Sequence, residues 1–204
     1  DHRFYDRQLM GGFERKNADC AFLAGITAFA NMNVLEGFVM MQARSKRQYN
    51  VRFTKALRPR GLRDTEVGPL RLEIIEPFKH LRYVLEKSDQ YPVALDITYK
   101  AVLPPHLEKP HFSRLDGRVD SDYLRYHQLA ELSGWVEVEG ERFDAADWYG
   151  WRDHSWGVRH WNTLIAHRWM TGTLDNGTSF CMAVFSGNDG SRFAAGMIID
   201  HATD

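Results

Sequence analysis

Cysteine is scarce: the 204 residues hold two, Cys20 and Cys181, far apart and in no CxxC, zinc or haem spacing. That excludes a disulfide framework and fits reduced core residues, which places the protein, as an expectation, in the reducing cytoplasm. Long hydrophobic runs are missing as well; none approaches the roughly 20 residues of a membrane-spanning helix, so no stable membrane insertion is expected. An excess of one charge is absent, with a net charge of −1, which removes any global reason to expect binding to nucleic acid. There is no GxSxG elbow and no glycine-rich phosphate loop before a helix, so nucleophilic hydrolysis and nucleotide binding gain no support. The first residues, DHRFYDRQLM, carry neither an initiator Met nor a signal-peptide core and read as the inside of an element, as expected of part of a longer natural chain.

Helical periodicity is nearly absent too, and short β-type runs take its place. Val, Ile, Phe, Tyr and Thr cluster over Arg3–Met10, Cys20–Ala30, Val34–Arg44, Tyr49–Ala56, Leu70–Glu76, Leu81–Glu86 and Val93–Val102. Further runs cover Tyr123–Glu131, Trp135–Val138, Arg142–Asp144, Thr163–Leu174, Thr178–Ser186 and Phe193–Asp200. Asp175-Asn176-Gly177 and Gly187-Asn188-Asp189-Gly190 supply tight hairpin turns. With 44% hydrophobic residues the chain can bury a real core. Sequential antiparallel strands remove exposed edges by closing into a barrel or sandwich, so the expected class is all-β. The weakest joint is Glu139–Asp147.

The segments YDRQLMGGFER, NMNVLEGF, VGPLRLEIIEP, SGWVEVEG and WYGWRDHSWGVR together resemble an uncharacterised bacterial family of lipocalin-like double-barrel proteins. That family is related to carotenoid 1,2-hydratase (hydroxyneurosporene synthase) and to AttH-like proteins. The likeness to the family covers nearly the whole chain; the link to the hydratase rests on Asp153-His154 and Trp156-Gly157. It implies antiparallel lipocalin-like (calycin-type) barrels or strongly bent sheets in two related halves. The first would be a β domain over 1–144; residues 145–204 would hold a Trp-rich linker and the start of an incomplete second β domain. Open strand edges there would favour homo-oligomers.

The Trp-rich stretch Trp148–Trp161 holds four of the six tryptophans. A carboxylic acid among indoles loses the solvation of its charged form and can stay protonated near neutral pH. Aromatic faces stabilise a nearby carbocation by about 0.5–2 kcal/mol each. Those are the ingredients for acid-catalysed hydration or isomerisation of an isoprenoid- or steroid-like molecule, with no cofactor needed. The resemblance to the hydratase carries Asp153 over as the acid, with His154 as orienter or base. Trp148, Trp151, Trp156, Arg159 and Trp161 would bind the ligand. The competing readings are a non-catalytic lipocalin-like carrier and a purely structural barrel plug in which Arg152 or Arg159 pairs with Asp153. Strand alternation would put Tyr149, Trp151 and Asp153 on one side, and Trp148, Arg152, His154 and Trp156 on the other.

Other signals are weaker. His154, His160 and His167 match no common metal-ligand spacing, so no metal is expected. His106 and His111, flanking prolines, read as an exposed loop near a barrel mouth. From Arg44 to Arg63 eight basic residues occur with no acidic one, interleaved with Tyr49, Val51 and Phe53 as on the wet face of a hairpin.

Overall fold

The computed structural model describes residues 1–44, 47–146, 148–160 and 164–199. Nearly all of it is strand. The first compact unit, Asp1–Arg159, holds thirteen strands in one antiparallel sheet. They are β1 (Phe4–Phe13), β2 (Cys20–Phe29), β3 (Val34–Ala43), β4 (Arg47–Ala56), β5 (Glu66–Val67), β6 (Leu70–Glu76) and β7 (His80–Leu85). β8 (Val93–Ala101), β9 (His106–Leu107), β10 (His111–Leu115), β11 (Arg118–Val138), β12 (Glu141–Asp144) and β13 (Tyr149–Val158) complete it. The second unit, His160–Asp204, contains β14 (Leu164–Thr173), β15 (Ser179–Gly187) and β16 (Arg192–Ile199) in that spatial order, with β14 and β16 as its edges. The only helical pieces described are two three-residue 3₁₀ turns, too short to cross a membrane.

The large sheet runs β4-β3-β2-β1-β13-β11-β8-β7-β6-β5 and curls until its ends meet. Closure uses side chains: the Val67 side chain fills the space beside Gly37 of β3, and Phe53 of β4 lies against Gly68. This nearly closed antiparallel barrel is the all-β, lipocalin-like architecture expected from the sequence. Inside it, Leu35, Val39, Leu70, Leu95, Ile97, Tyr99 and Val136 are wholly buried. Each such apolar side chain contributes about 1.5–3 kcal/mol. Cys20 lies in this core, where burial, ahead of the nearby carboxylates, pushes its thiol up to about 12; Cys20 and Cys181 are both free and buried.

Two runs expected as separate strands, Tyr123–Glu131 and Trp135–Val138, are one 21-residue strand, β11. The gap between the two runs, Leu132 to Gly134, continues the strand and its pairing with β8. Gly134 has φ +101, and a Cβ there would sit 2.0 Å from the carbonyl oxygen of Asp96 on β8. The chain turns the barrel corner at the one residue that permits that approach. β13, grouped with the second half in the sequence reading, hydrogen-bonds between β1 and β11 at the centre of the first sheet.

The basic run is neutralised in part. Arg44 pairs with Glu141 and Asp19 at 2.6 and 2.9 Å, and Lys55 meets the buried Asp64 at 2.7 Å. Arg52, Arg58 and Arg63 are exposed, and Lys46 lies outside the described residues.

Candidate functional site

Because β13 lies between β1 and β11, each of its residues has a cross-strand neighbour on both sides, and alternation sorts them into two rows. Gln8–His154–Tyr126 and Met10–Arg152–Gln128 are aligned triplets on the inward face, continuous with the core. Leu9–Asp153–His127, Arg7–Ser155–Arg125 and Gly11–Trp151–Leu129 form the outward face.

On the inward face the polar groups join in one network. Arg152 donates from Nη2 to Gln8 Oε1 at 3.0 Å and also to the Tyr126 hydroxyl oxygen. The His154 ring lies between the Asp6 carboxylate, 2.9 Å from Nε2, and the Tyr126 hydroxyl, 3.2 Å from Nδ1. With Nε2–H donating to Asp6, Nδ1 is an acceptor, and Gln8 Nε2 also lies 3.2 Å from it. When the Gln8 amide fills Nδ1, the Tyr126 hydrogen is available to a ligand. Burial, partly offset by the Arg152 charge, raises the Tyr126 hydroxyl above the usual tyrosine range, so it stays protonated and able to donate. Aromatic rings wall the cluster: Trp156 lies 5.0 Å from His154 and 6.2 Å from Tyr126, and Phe78 lies 5.7 Å from Tyr126. The His154 and Asp6 side chains remain 19% and 30% exposed, which leaves the network open to a visiting molecule.

On the outward face the charges are buried. Glu108, from the strap between β9 and β10, accepts a bidentate pair of hydrogen bonds from Arg125 at 2.8 to 3.0 Å and sits 2.5 Å from His127 Nε2. Burial alone would raise the Glu108 carboxyl, but the His127 hydrogen bond and the Arg125 charge outweigh it and hold it at about 2. Asp153, 1% exposed, is 3.7 Å from Arg125 Nε and 3.8 Å from His127 Nδ1, beyond hydrogen-bond length, and neither of its oxygens has a hydrogen-bond partner among the described residues. The Asp153 guanidinium neighbour is therefore Arg125, a residue the sequence reading passed over, while Arg152 points the other way.

The residues singled out from sequence separate accordingly. Asp153 and His154 face opposite sides. Trp148 is in the apolar core beside Phe22, and Trp156 joins His154 on the inward face. Trp151 is outward, its indole resting where a Gly11 side chain would be. Arg159 is buried with its guanidinium carbon 3.7 Å from the Tyr123 ring centre, and burial lowers its pKa. Trp161 lies outside the described residues. His106 is exposed, whereas His111 is half-buried against Tyr123. Asp6, Gln8, Glu108, Arg125, Tyr126 and His127 were not singled out. Their signal is positional: polar residues at alternate places in strands whose neighbours are buried.

Residues 30–203 match the family described as Domain of unknown function (DUF7064). The chain belongs to this family. No curated protein matches the sequence. Among solved structures the chain is similar to an AttH-like protein from Nitrosomonas europaea, 16% identical with a TM-score of 0.73 over 100% of this chain and 67% of that one. It is also similar to kievitone hydratase from Nectria haematococca, 15% identical with a TM-score of 0.67 over 98% of this chain and 62% of that one. A third, CghA with Sch210972, is 7% identical with a TM-score of 0.55 over 96% of this chain and 58% of that one. The chain thus spans about two thirds or less of these structures' length, and at such identities the likeness is one of fold.

Proposed function

We propose that this DUF7064 chain binds a small lipophilic molecule of the isoprenoid or steroid type at the inward face of β13, and that His154 with Tyr126 moves protons in a hydration or isomerisation of it. The observation that carries this reading is the His154 ring held between the Asp6 carboxylate and the Tyr126 hydroxyl, walled by Trp156 and still partly exposed. Adding water across a double bond delivers a proton to one carbon and removes one from the water that attacks the other. An imidazole with a carboxylate on one nitrogen and a hydroxyl on the other serves both steps. The rings of Trp156 and Tyr126, centred 5.0 and 5.3 Å from the His154 ring, would stabilise a cationic intermediate formed beside it. The fold shared with a hydratase is consistent with this chemistry but does not carry it.

A second reading keeps Asp153 as the acid, favoured by its two buried oxygens without hydrogen-bond partners among the described residues. A third, the non-catalytic carrier, needs binding at the same inward face and no proton transfer. Mass spectrometry of the apolar compound that co-purifies, followed by incubation of that compound in H₂¹⁸O, separates them. Label incorporated by wild type and Asp153→Asn but not by His154→Ala supports the inward site. Incorporation lost only in Asp153→Asn supports the outward acid, and a bound compound recovered unchanged by all three proteins supports the carrier.

A further inference from the structure

Gln128 stands on β11 in the same inward row as Tyr126, directly across from Arg152, and is 2% exposed. Its amide is oriented by its surroundings. Nε2 lies 2.7 Å from the carbonyl oxygen of Phe78, at the β6–β7 tip, and 2.9 Å from that of Leu103, in the segment after β8. Two carbonyl acceptors require the NH₂ end, so both its hydrogens are used and Oε1 must face away from them. That oxygen is buried and accepts no hydrogen bond from the described residues. Arg152, the nearest cation across the strand pair, donates to Gln8 and Tyr126 instead. A buried carbonyl acceptor without a donor is costly, and it lies in the row that also holds a phenol with a hydrogen to give.

We infer that Gln128 is a specificity-determining residue of the inward site: its Oε1 accepts a hydrogen bond from a hydroxyl group of the lipophilic ligand, whose oxygen in turn accepts from Tyr126. The assignment rests on the inward-site reading above and narrows it to hydroxylated lipophiles. A hydroxyl satisfies both an acceptor and a donor at one point; an ether or a carbonyl satisfies only Tyr126. Phe78 supports the arrangement. Its backbone is held in the left-handed region, φ +64, while Gln128 grips its carbonyl and its ring stays half exposed beside Tyr126. The residue that reads the hydroxyl thus also fixes the aromatic tip above it.

The test compares alcohols with their own methyl ethers on two scaffolds that carry a single hydroxyl, farnesol and 5α-androstan-17β-ol, by calorimetric titration of the wild-type chain. The inference expects the free alcohol to bind roughly tenfold tighter than its ether on at least one scaffold. Gln128→Met should bring that ratio to one. Tyr126→Phe should weaken alcohol and ether alike and leave the ratio in place. Equal binding of alcohol and ether by wild type overturns the inference while leaving the inward site standing. Binding of none of the four overturns both. Because the wild-type ratio is itself decisive, the result does not depend on how well Gln128→Met folds.

Discussion

The two rows of β13 handle charge in opposite ways. Inward, Arg152, His154 and Tyr126 form a hydrogen-bonded chain that ends in partly exposed groups and aromatic walls. Outward, Arg125, His127, Glu108 and Asp153 form a largely buried ionic cluster in which Glu108 takes the hydrogen bonds of Arg125 and His127, leaving Asp153 in its field without a hydrogen bond from the described residues. Neighbouring residues of one motif can therefore hold different roles. In a strand between two others, adjacency in sequence means opposition in space.

The largest effect expected from this contrast belongs to the outward row. Arg125→Met removes the only guanidinium hydrogen-bonded to Glu108 among the described residues and leaves the half-buried Glu108 and the buried Asp153 without their guanidinium neighbour. Urea unfolding should show a loss of about 3–5 kcal/mol. A loss below about 1 kcal/mol would mean that the cluster is not structural.

Acid should act through the same row. The Glu108 carboxyl is held at about 2, below its ordinary 4.5, so its stabilisation is present above pH 4.5 and is lost as the pH falls toward 2. The full contribution is about 3 kcal/mol. Glu108→Gln should flatten the stability profile across that window, and an unchanged acid limb would show that other carboxylates set it.

Inward changes should be milder for stability and harsher for function. Tyr126→Phe deletes one hydroxyl shared by Arg152 and His154, at a cost of about 1 kcal/mol in unfolding experiments. Affinity for an apolar alcohol should fall with it. The smallest effect is expected at Asp153→Asn. The side chain takes no hydrogen bond from the described residues, and Arg125 and His127 keep Glu108, so the melting transition should move by an amount equivalent to about 1 kcal/mol or less. A collapse of stability there would restore the sequence reading of Asp153 as the keystone of a plug.

Much of the fold is legible in the sequence because hydrophobic alternation and turn residues are local. β2, β3, β6 and β8 fall within a residue of their expected bounds, and the Asn176-Gly177 turn joins β14 to β15. β11 is misread as two strands because Gly134 normally interrupts a strand, and only the approach of the Asp96 carbonyl reveals it as a corner. The rows of β13 are legible in part, since alternation alone separates Asp153 from His154. What alternation does not supply is the partners. Glu108 reaches Arg125 and Asp6 reaches His154 across 17 and 148 residues, separations set by the strap that lies along β11 and by the pairing of β1 with β13.

The most direct test titrates farnesol into three proteins: wild type, Asp153→Asn, and the double variant Tyr126→Phe/His154→Ala. The inward site predicts that Asp153→Asn binds like wild type, while the double variant loses roughly tenfold or more in affinity, as two hydrogen-bonding groups at the proposed site disappear. Full affinity in the double variant together with loss of binding in Asp153→Asn would contradict the assignment and move the ligand to the outward face.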